Sequence, residues 1–144
     1  MTTSNCTINL PGSRRQVTIT SDTTFESEYK GKRILIEQWG DVYFARSVND
    51  DGSVYGPTVV ANDLDRAISK AEDGIDWVQG ERSVLFGSLN IPTVRLADGQ
   101  YESKVVGLTG GEYPSARANT VQLSKVLAAN NFMLREQSIQ PFGN

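Results

Sequence analysis

The hydrophobic period of this chain changes from two to 3.6 near Ala61, and this change restricts the possible folds more than any other sequence feature. Across residues 32–60, apolar residues alternate with polar ones as in strands, whereas across residues 62–79 they recur every three or four positions as in a helix. The pattern predicts a β-meander followed by one amphipathic helix that covers it.

The predicted helix carries its own start and stop signals. Asn62 is the predicted N-cap, Asp65 stands in the capping-box position, and Gly80 is the predicted stop. The apolar residues of the helix fall on one face, which we expect to lie against the sheet. These residues are Leu64, Ala67, Ile68, Ala71, Ile75 and Val78.

Two alternating segments precede the meander and predict a hairpin. They span residues 6–10 and 16–20, and they flank a turn at residues 11–15 that begins with Pro-Gly. Residues 25–29 predict a further short strand, which would bring the chain to the first strand of the meander.

The second half of the chain alternates less regularly, but it contains one strong hairpin signal. Asp98-Gly99 predicts a two-residue loop between two strands. Residues 115–130 predict a second helix, which would end at Asn130-Asn131. The predicted strands of this half are residues 83–86, 91–96, 101–108 and 132–139.

Together these elements predict an α+β fold: an antiparallel β-meander covered by an amphipathic helix, followed by a β-hairpin and a second helix. A chain of 144 residues is long enough to bury a substantial core without a metal or disulfide. We therefore expect a single domain spanning residues 1–144, with a weak boundary between two lobes near residue 80.

The chain contains no histidine and a single cysteine, Cys6. The lack of histidine excludes Ser–His and Cys–His nucleophiles, imidazole acid–base catalysis and every histidine-containing metal site. One cysteine excludes an intramolecular disulfide and a thiolate cluster. We therefore predict no metal and no cofactor, and we assign no catalytic residue.

Charge and hydropathy argue against two kinds of partner. There are 14 basic and 17 acidic residues, which give a net charge of -3 with both signs interspersed. A surface that binds duplex nucleic acid normally has a basic excess, so such a partner is not expected. No apolar run approaches the roughly 18 residues of a membrane span, and the first residues lack a signal-peptide pattern. We expect a cytoplasmic protein with no membrane partner.

The glycine-rich segment 109–117, TGGEYPSAR, is the strongest candidate for a binding site. Consecutive glycines let backbone N–H groups approach an anion, and a helix that began after them would add the positive end of its dipole. The alternative is a strand-to-helix turn with Tyr113 packed inward and Arg117 solvated. The predicted ligand-binding residues are Thr109, Gly110, Gly111, Tyr113, Ser115 and Arg117, joined by Arg33 or Arg95.

Several aromatic residues belong to the meander and its helix. Their rings are able to stack a base or anchor a partner protein, although core packing is the commoner use of such residues. These residues are Trp39, Tyr43, Phe44, Tyr55 and Trp77.

Three functions remain open from the sequence. The first is a non-catalytic, homo-oligomeric binding protein that sequesters an anionic nucleotide-like ligand or blocks a partner protein. Small acidic chains of this kind are often carried by viruses and mobile elements, and the nucleotide sponges of phages are an example. The second is a structural or assembly component, such as a virion protein with sheet-edge interfaces. The third, with less support, is a small enzyme that uses carboxylates.

Overall fold

Two antiparallel sheets, each covered by one helix, make up the structure, which is a computed structural model and describes residues 6–9, 16–107, 113–135 and 142. The first sheet holds six strands in chain order: β1 (Cys6–Asn9), β2 (Gln16–Ile19), β3 (Thr24–Tyr29), β4 (Lys32–Trp39), β5 (Val42–Val48) and β6 (Val59–Ala61). Helix α1 (Leu64–Val78) packs on it. The second sheet is β7 (Thr93–Arg95), β8 (Tyr101–Ser103) and β9 (Ala116–Ala118), and helix α2 (Val121–Met133) packs on that sheet. The predicted α+β fold is confirmed.

The core of the first sheet lies between its inner face and α1. One register row crosses four strands through Phe25, Ile36, Ala45 and Val59, so these side chains all point to the same face. Most of the predicted apolar face of α1 is buried against this row. The buried residues of α1 are Ala67, Ile68, Ala71, Gly74 and Ile75.

Gly74 allows α1 to approach the loop before β6 closely. A Cβ atom at this position would lie 3.3 Å from Cδ of Pro57 and 3.4 Å from a ring carbon of Phe86. Both neighbours are fully buried, so neither has room to move away. The glycine that weakens the sequence pattern of this helix is therefore required by its packing.

The ends of α1 are set by side-chain and backbone caps. The N-cap is Asp63, whose Oδ1 accepts a 2.8 Å hydrogen bond from the backbone N–H of Arg66. The prediction of Asn62 was wrong by one residue, because the carboxylate next to it makes the same kind of cap. At the other end Gly80 adopts a φ of 81° and donates its N–H to the carbonyl of Trp77, as predicted.

The turn between β3 and β4 fastens the sheet to the end of α1. Lys30 and Gly31 both have positive φ, 51° and 79°, as the tight two-residue hairpin loop requires. This geometry directs the Lys30 ammonium group to Asp76 at 2.7 Å and Glu81 at 2.6 Å. Tyr29 also donates its hydroxyl hydrogen bond to Asp76. The left-handed conformation of a lysine is thus held by two ion pairs.

Arg46 lies partly buried on the opposite face of the first sheet. Its guanidinium group lies 4.5 Å from the ring centre of Phe142, and its buried Nε atom has no hydrogen-bond partner among the described residues. Burial lowers the pKa of Arg46, and the nearby Glu37 partly opposes that shift. This arginine therefore packs the sheet face against an aromatic ring.

Residues 83–86 do not form the predicted strand. They form a capped helical turn, in which Ser83 Oγ accepts a hydrogen bond from Phe86 N–H and Gly87 N–H donates to the Ser83 carbonyl. The Asp73 carboxylate of α1 accepts hydrogen bonds from the Ser83 hydroxyl and from the N–H groups of Val84 and Leu85. These bonds outweigh the β propensity of the segment.

The predicted hairpin of the second half exists, but its loop and strands differ from the prediction. The loop contains three residues, because Leu96 exchanges hydrogen bonds with Gly99 and Gln100 and only Gly99, with a φ of 86°, is left-handed. The strands are shorter than predicted, at 93–95 and 101–103. The hairpin gains a third strand, β9, in a segment predicted to be helical.

Helix α2 begins six residues later than predicted. Its N-cap is Thr120, whose Oγ1 accepts a 3.1 Å hydrogen bond from Leu123 N–H. Asn130 and Asn131 lie inside the helix rather than at its exit, and Phe132 is helical rather than part of a strand. The predicted turn at 11–15 and residues 136–139 of the predicted last strand lie outside the described residues.

Hydrogen bonds connect α2 to both sheets. Ser124 Oγ lies 2.7 Å from Ser103 Oγ in β8, and both hydroxyls are buried. Asn130 accepts a hydrogen bond from the backbone N–H of Thr58, just before β6. Ala129 is completely buried in the core that α1 shares with the first sheet. In the described part of the chain, neither helix has the length and apolar character needed to cross a membrane.

Candidate functional site

Three of the predicted binding residues, Thr109, Gly110 and Gly111, lie outside the described residues. Tyr113, which follows them, packs edge-on against Phe132 of α2 with ring centres 5.0 Å apart. Its backbone N–H donates to the carbonyl of Val105 at 3.4 Å. Tyr113 is therefore used for packing, as the alternative interpretation of the segment expected.

Ser115 and Arg117 both contact one carboxylate, that of Glu102 on β8. Arg117 Nε lies 3.1 Å from Glu102 Oε2, and the Ser115 hydroxyl donates to the same oxygen at 3.4 Å. Because α2 starts at Val121, Arg117 belongs to strand β9 and does not lie at a helix N-terminus. The expected contribution of a helix dipole to this segment is therefore wrong.

The structure does not bring Arg33, Arg95 and Arg117 together. Arg33 lies on β4 of the first sheet and forms a 2.6 Å ion pair with Glu26, which raises the pKa of its guanidinium group. The other two arginines lie on the second sheet, in register rows that are next to each other. Since neighbouring rows point to opposite faces, Arg95 and Arg117 face away from each other.

A better-formed cleft lies between the C-terminal end of α1 and the first turns of α2. Its volume is about 390 Å³, within the size range of small-molecule sites. We call it the Trp77 cleft. It is lined by Trp77, Val78, Leu89, Ile91, Val121, Gln122, Lys125 and Val126.

Trp77 provides a fixed aromatic wall. Its indole ring stacks on Phe86 with ring centres 5.1 Å apart and an angle of 27° between the planes. Phe86 is almost completely buried, and the capped turn held by Asp73 fixes it. The indole is therefore positioned before any ligand arrives, which reduces the entropic cost of stacking a ring against it.

Lys125 is the one charged residue among the described residues that line the Trp77 cleft. The residue is half-buried, and its ammonium group forms neither a hydrogen bond nor an ion pair within the described part of the chain. This contrasts with Arg33 and Arg117, which are each neutralised by a glutamate. An unpaired cation at the edge of an apolar cleft favours a ligand with an anionic group.

Gln122 separates the Trp77 cleft from a second cleft of about 470 Å³. The side-chain amide of Gln122 donates a hydrogen bond to the carbonyl of Val78, and both residues line both clefts. We call the second cleft the Tyr55 cleft. Its lining consists of Asn49, Ser53, Val54, Tyr55, Val78, Thr120, Gln122, Leu123 and Leu127.

Trp77 also lines a shallower cleft of about 640 Å³ formed by the loop that follows α1. Arg82 lines this cleft and, like Lys125, makes no hydrogen bond or ion pair with any residue that the structure describes. Each of the two clefts that share Trp77 therefore has one such cation in its lining.

Of the candidate site, the sequence indicated one residue. Trp77 was among the aromatic residues considered for stacking, although core packing was the favoured interpretation. Lys125 and Gln122 were not predicted, since neither has a motif around it. Their surface positions on a predicted helix were the only available signal, and many solvated residues share it.

The described residues contain no group of three or more His, Cys, Asp or Glu side chains arranged to hold a metal ion. Comparison of the chain with protein-family models, with curated proteins and with solved structures finds no match. The geometry of the clefts is therefore the observation that bears on function.

Proposed function

We propose that this chain is a non-catalytic binding protein and that its ligand is a compact anionic molecule with a flat ring, of nucleotide type, held in the Trp77 cleft. The observation that supports it most is the pairing of a fixed indole with an unpaired ammonium group, that of Lys125, in one cleft of about 390 Å³. Base–aromatic stacking contributes roughly 1–3 kcal/mol per base, and the ammonium group would neutralise a phosphate.

The proposed ligand site is the Trp77 cleft rather than the segment 109–117 that the sequence indicated. Arg117 is already paired with Glu102, so an anion there would have to displace a carboxylate. Lys125 has no such competitor in the described part of the chain. The proposal includes a cytoplasmic location, where nucleotides are abundant, and a role in sequestering the ligand rather than converting it.

Tryptophan fluorescence and calorimetry test this function. The chain has two tryptophans, so Trp39→Phe leaves Trp77 as the single reporter. Titration of this variant with mononucleotides is expected to change the Trp77 emission, and calorimetry of the unmodified chain is expected to give the same Kd. A panel of mononucleotides that produces neither heat nor a fluorescence change would refute the proposal.

A charge variant and a matched control identify the site. Lys125→Gln is expected to weaken binding about tenfold or more, since it removes a charge-assisted hydrogen bond. Arg66→Gln removes an exposed cation near the N-terminal end of α1, roughly 16 Å from Trp77 along the helix axis. This change is expected to leave Kd unchanged. Equal effects of the two changes would indicate non-specific attraction to charge.

A second candidate function is an assembly component, and two exposed apolar residues favour it. Val94 on β7 is 56% exposed and Val84 at the tip of the capped turn is 86% exposed. Residues of this kind commonly anchor protein interfaces, and β7 is an edge strand of its sheet. Light scattering tests the assembly function. Homo-oligomers that dissociate in the Val94→Lys or Val84→Lys variant would support it. A monomer over a wide concentration range would exclude self-assembly.

A further inference from the structure

We infer that the ligand is bipartite and of the dinucleotide class, with one ring in the Trp77 cleft and a second ring in the Tyr55 cleft. This inference rests on the proposed function, because it names the kind of nucleotide that the same site would take. Its basis is that the linings of the two clefts share Val78 and Gln122 and that each lining contains an aromatic ring with an ammonium group in the cleft or beside it.

The common wall consists of Val78 and the side chain of Gln122. Val78 is the last residue of α1, whereas Gln122 is an exposed residue in the first turn of α2 that reaches across to the Val78 carbonyl. A side chain bound through one amide hydrogen bond rotates away without any change in the backbone. Rotation of Gln122 would therefore open a passage between the clefts across Val78.

Each cleft has an aromatic ring in its lining and an ammonium group in it or beside it. In the Trp77 cleft the indole and Lys125 both belong to the lining. Lys32 does not line the Tyr55 cleft but contacts two residues that do, with Nζ 4.3 Å from the ring centre of Tyr55 and 3.0 Å from Asn49 Oδ1. Rings that stack bases and cations that neutralise phosphate are the two parts of single-stranded nucleic-acid sites. Their repetition on both sides of Gln122 fits two nucleotides joined by phosphate.

The lining of the Tyr55 cleft also suits a base with its sugar. Leu123 and Leu127 provide apolar contacts, while Asn49, Ser53 and Thr120 bring an amide and two hydroxyl groups. These groups each make a hydrogen bond within the protein, and a ligand confined to the Trp77 cleft would not reach them. A dinucleotide would contact them, and the second binding event would be favoured because it takes place within one molecule.

The test compares mononucleotides with dinucleotides of the same bases, both linear 3′,5′-linked and cyclic, by calorimetry. We expect at least one dinucleotide to bind ten or more times tighter than its mononucleotide. Ser53→Trp places a large ring at the mouth of the Tyr55 cleft and is expected to remove this advantage while leaving the mononucleotide Kd unchanged. Asp50→Trp, in the same exposed loop but outside the cleft lining, is the control and is expected to preserve the advantage.

The possible failures are distinguishable. Mononucleotide binding that depends on Lys125, with no advantage for any dinucleotide, would overturn this inference and leave the proposed function standing. An advantage that survives Ser53→Trp would also overturn it, because the second ring would then lie elsewhere. If no probe binds, both the inference and the proposed function are wrong.

Discussion

Oδ2 of Asp73 accepts a 2.6 Å hydrogen bond from Oγ of Ser83, and this bond attaches the loop after α1 to the body of the helix. The same carboxylate accepts hydrogen bonds from the backbone N–H groups of Val84 and Leu85. Because the loop carries Phe86, on which Trp77 stacks, the aspartate determines the position of the wall of the Trp77 cleft.

Asp73→Asn is therefore expected to loosen the loop and to destabilise the fold by about 1–3 kcal/mol. The asparagine side chain keeps one acceptor oxygen but presents an NH₂ group to donors that then have no partner. Chemical denaturation measures the loss, and limited trypsin digestion is expected to cut faster after Arg82. The control is Asp41→Asn, in an exposed turn, which is expected to change neither measurement. Unchanged proteolysis in Asp73→Asn would contradict the role of this carboxylate.

Gly56 and Ser47 form a second testable pair, within the inner layer of the first sheet. A Cβ atom on Gly56 would collide with Oγ of Ser47, which is buried and has no hydrogen-bond partner in the part of the chain that the structure describes. Gly56→Ala is therefore expected to cost about 1–3 kcal/mol, as overpacking does. Ser47→Ala is expected to be neutral or stabilising, since it removes an unsatisfied hydroxyl.

The double variant Ser47→Ala/Gly56→Ala distinguishes this collision from backbone effects. It is expected to recover most of the stability that Gly56→Ala loses, because the colliding atom is then missing. Urea denaturation of all four proteins gives the coupling energy between the two positions. Additive effects would show that the loss at Gly56 has another origin.

Tyr29 is expected to ionise later than an ordinary tyrosine. Burial raises the pKa of its hydroxyl, and the hydrogen bond that it donates to Asp76 raises the pKa further. The folded state therefore holds this proton more tightly than the unfolded state does. The corresponding stability is present below the ordinary pKa near 10 and is lost as the pH rises through the pKa of the folded protein.

Absorbance at 295 nm follows this ionisation. The chain has five tyrosines, and the late phase of the titration is expected to disappear in Tyr29→Phe and to move to lower pH in Asp76→Asn. If the late phase persists in Tyr29→Phe, the assignment is wrong.

Asp51 is expected to contribute to acid sensitivity. The hydroxyl of Ser53 donates to Asp51 at 2.6 Å and its backbone N–H donates at 2.9 Å, and these bonds lower the pKa of the carboxyl group. The contribution is present above the ordinary pKa of about 3.9 and is lost as the pH falls through the lowered value. Below about pH 4, the stability of Asp51→Asn is expected to fall less steeply than that of the unmodified chain. Parallel curves would contradict this prediction.

Local sequence patterns predicted the first half of the fold well, because its elements depend on neighbours along the chain. The meander and α1 each carry a period that matches their burial, and Gly80 is left-handed as expected. The N-cap of α1 lies one residue after the predicted one, because Asn62 and Asp63 are both suitable N-cap residues. Patterns of this kind do not distinguish two adjacent residues that make equivalent bonds.

The errors occurred where a distant partner decides the local conformation. Residues 83–86 have strand propensity, yet Asp73 holds them in a turn. Residues 116–118 are Ala-Arg-Ala, which favours a helix, yet pairing with β8 makes them a strand and sets Arg117 opposite Glu102. The candidate site lies away from the predicted segment 109–117 for the same reason. Arg117 is paired with Glu102 because the register of the second sheet sets the two residues opposite each other.

The sequence by itself determined the class of fold and the lack of any histidine-based chemistry, because hydrophobic periodicity and composition are properties of the chain alone. It also determined that charge is balanced, which argues against a general duplex-binding surface. Only the tertiary structure decided which cations are paired and which aromatic ring lines a cleft. Among the described residues Lys125 has no partner and lies near Trp77, because the end of α1 meets the start of α2 there and brings together segments far apart in the chain.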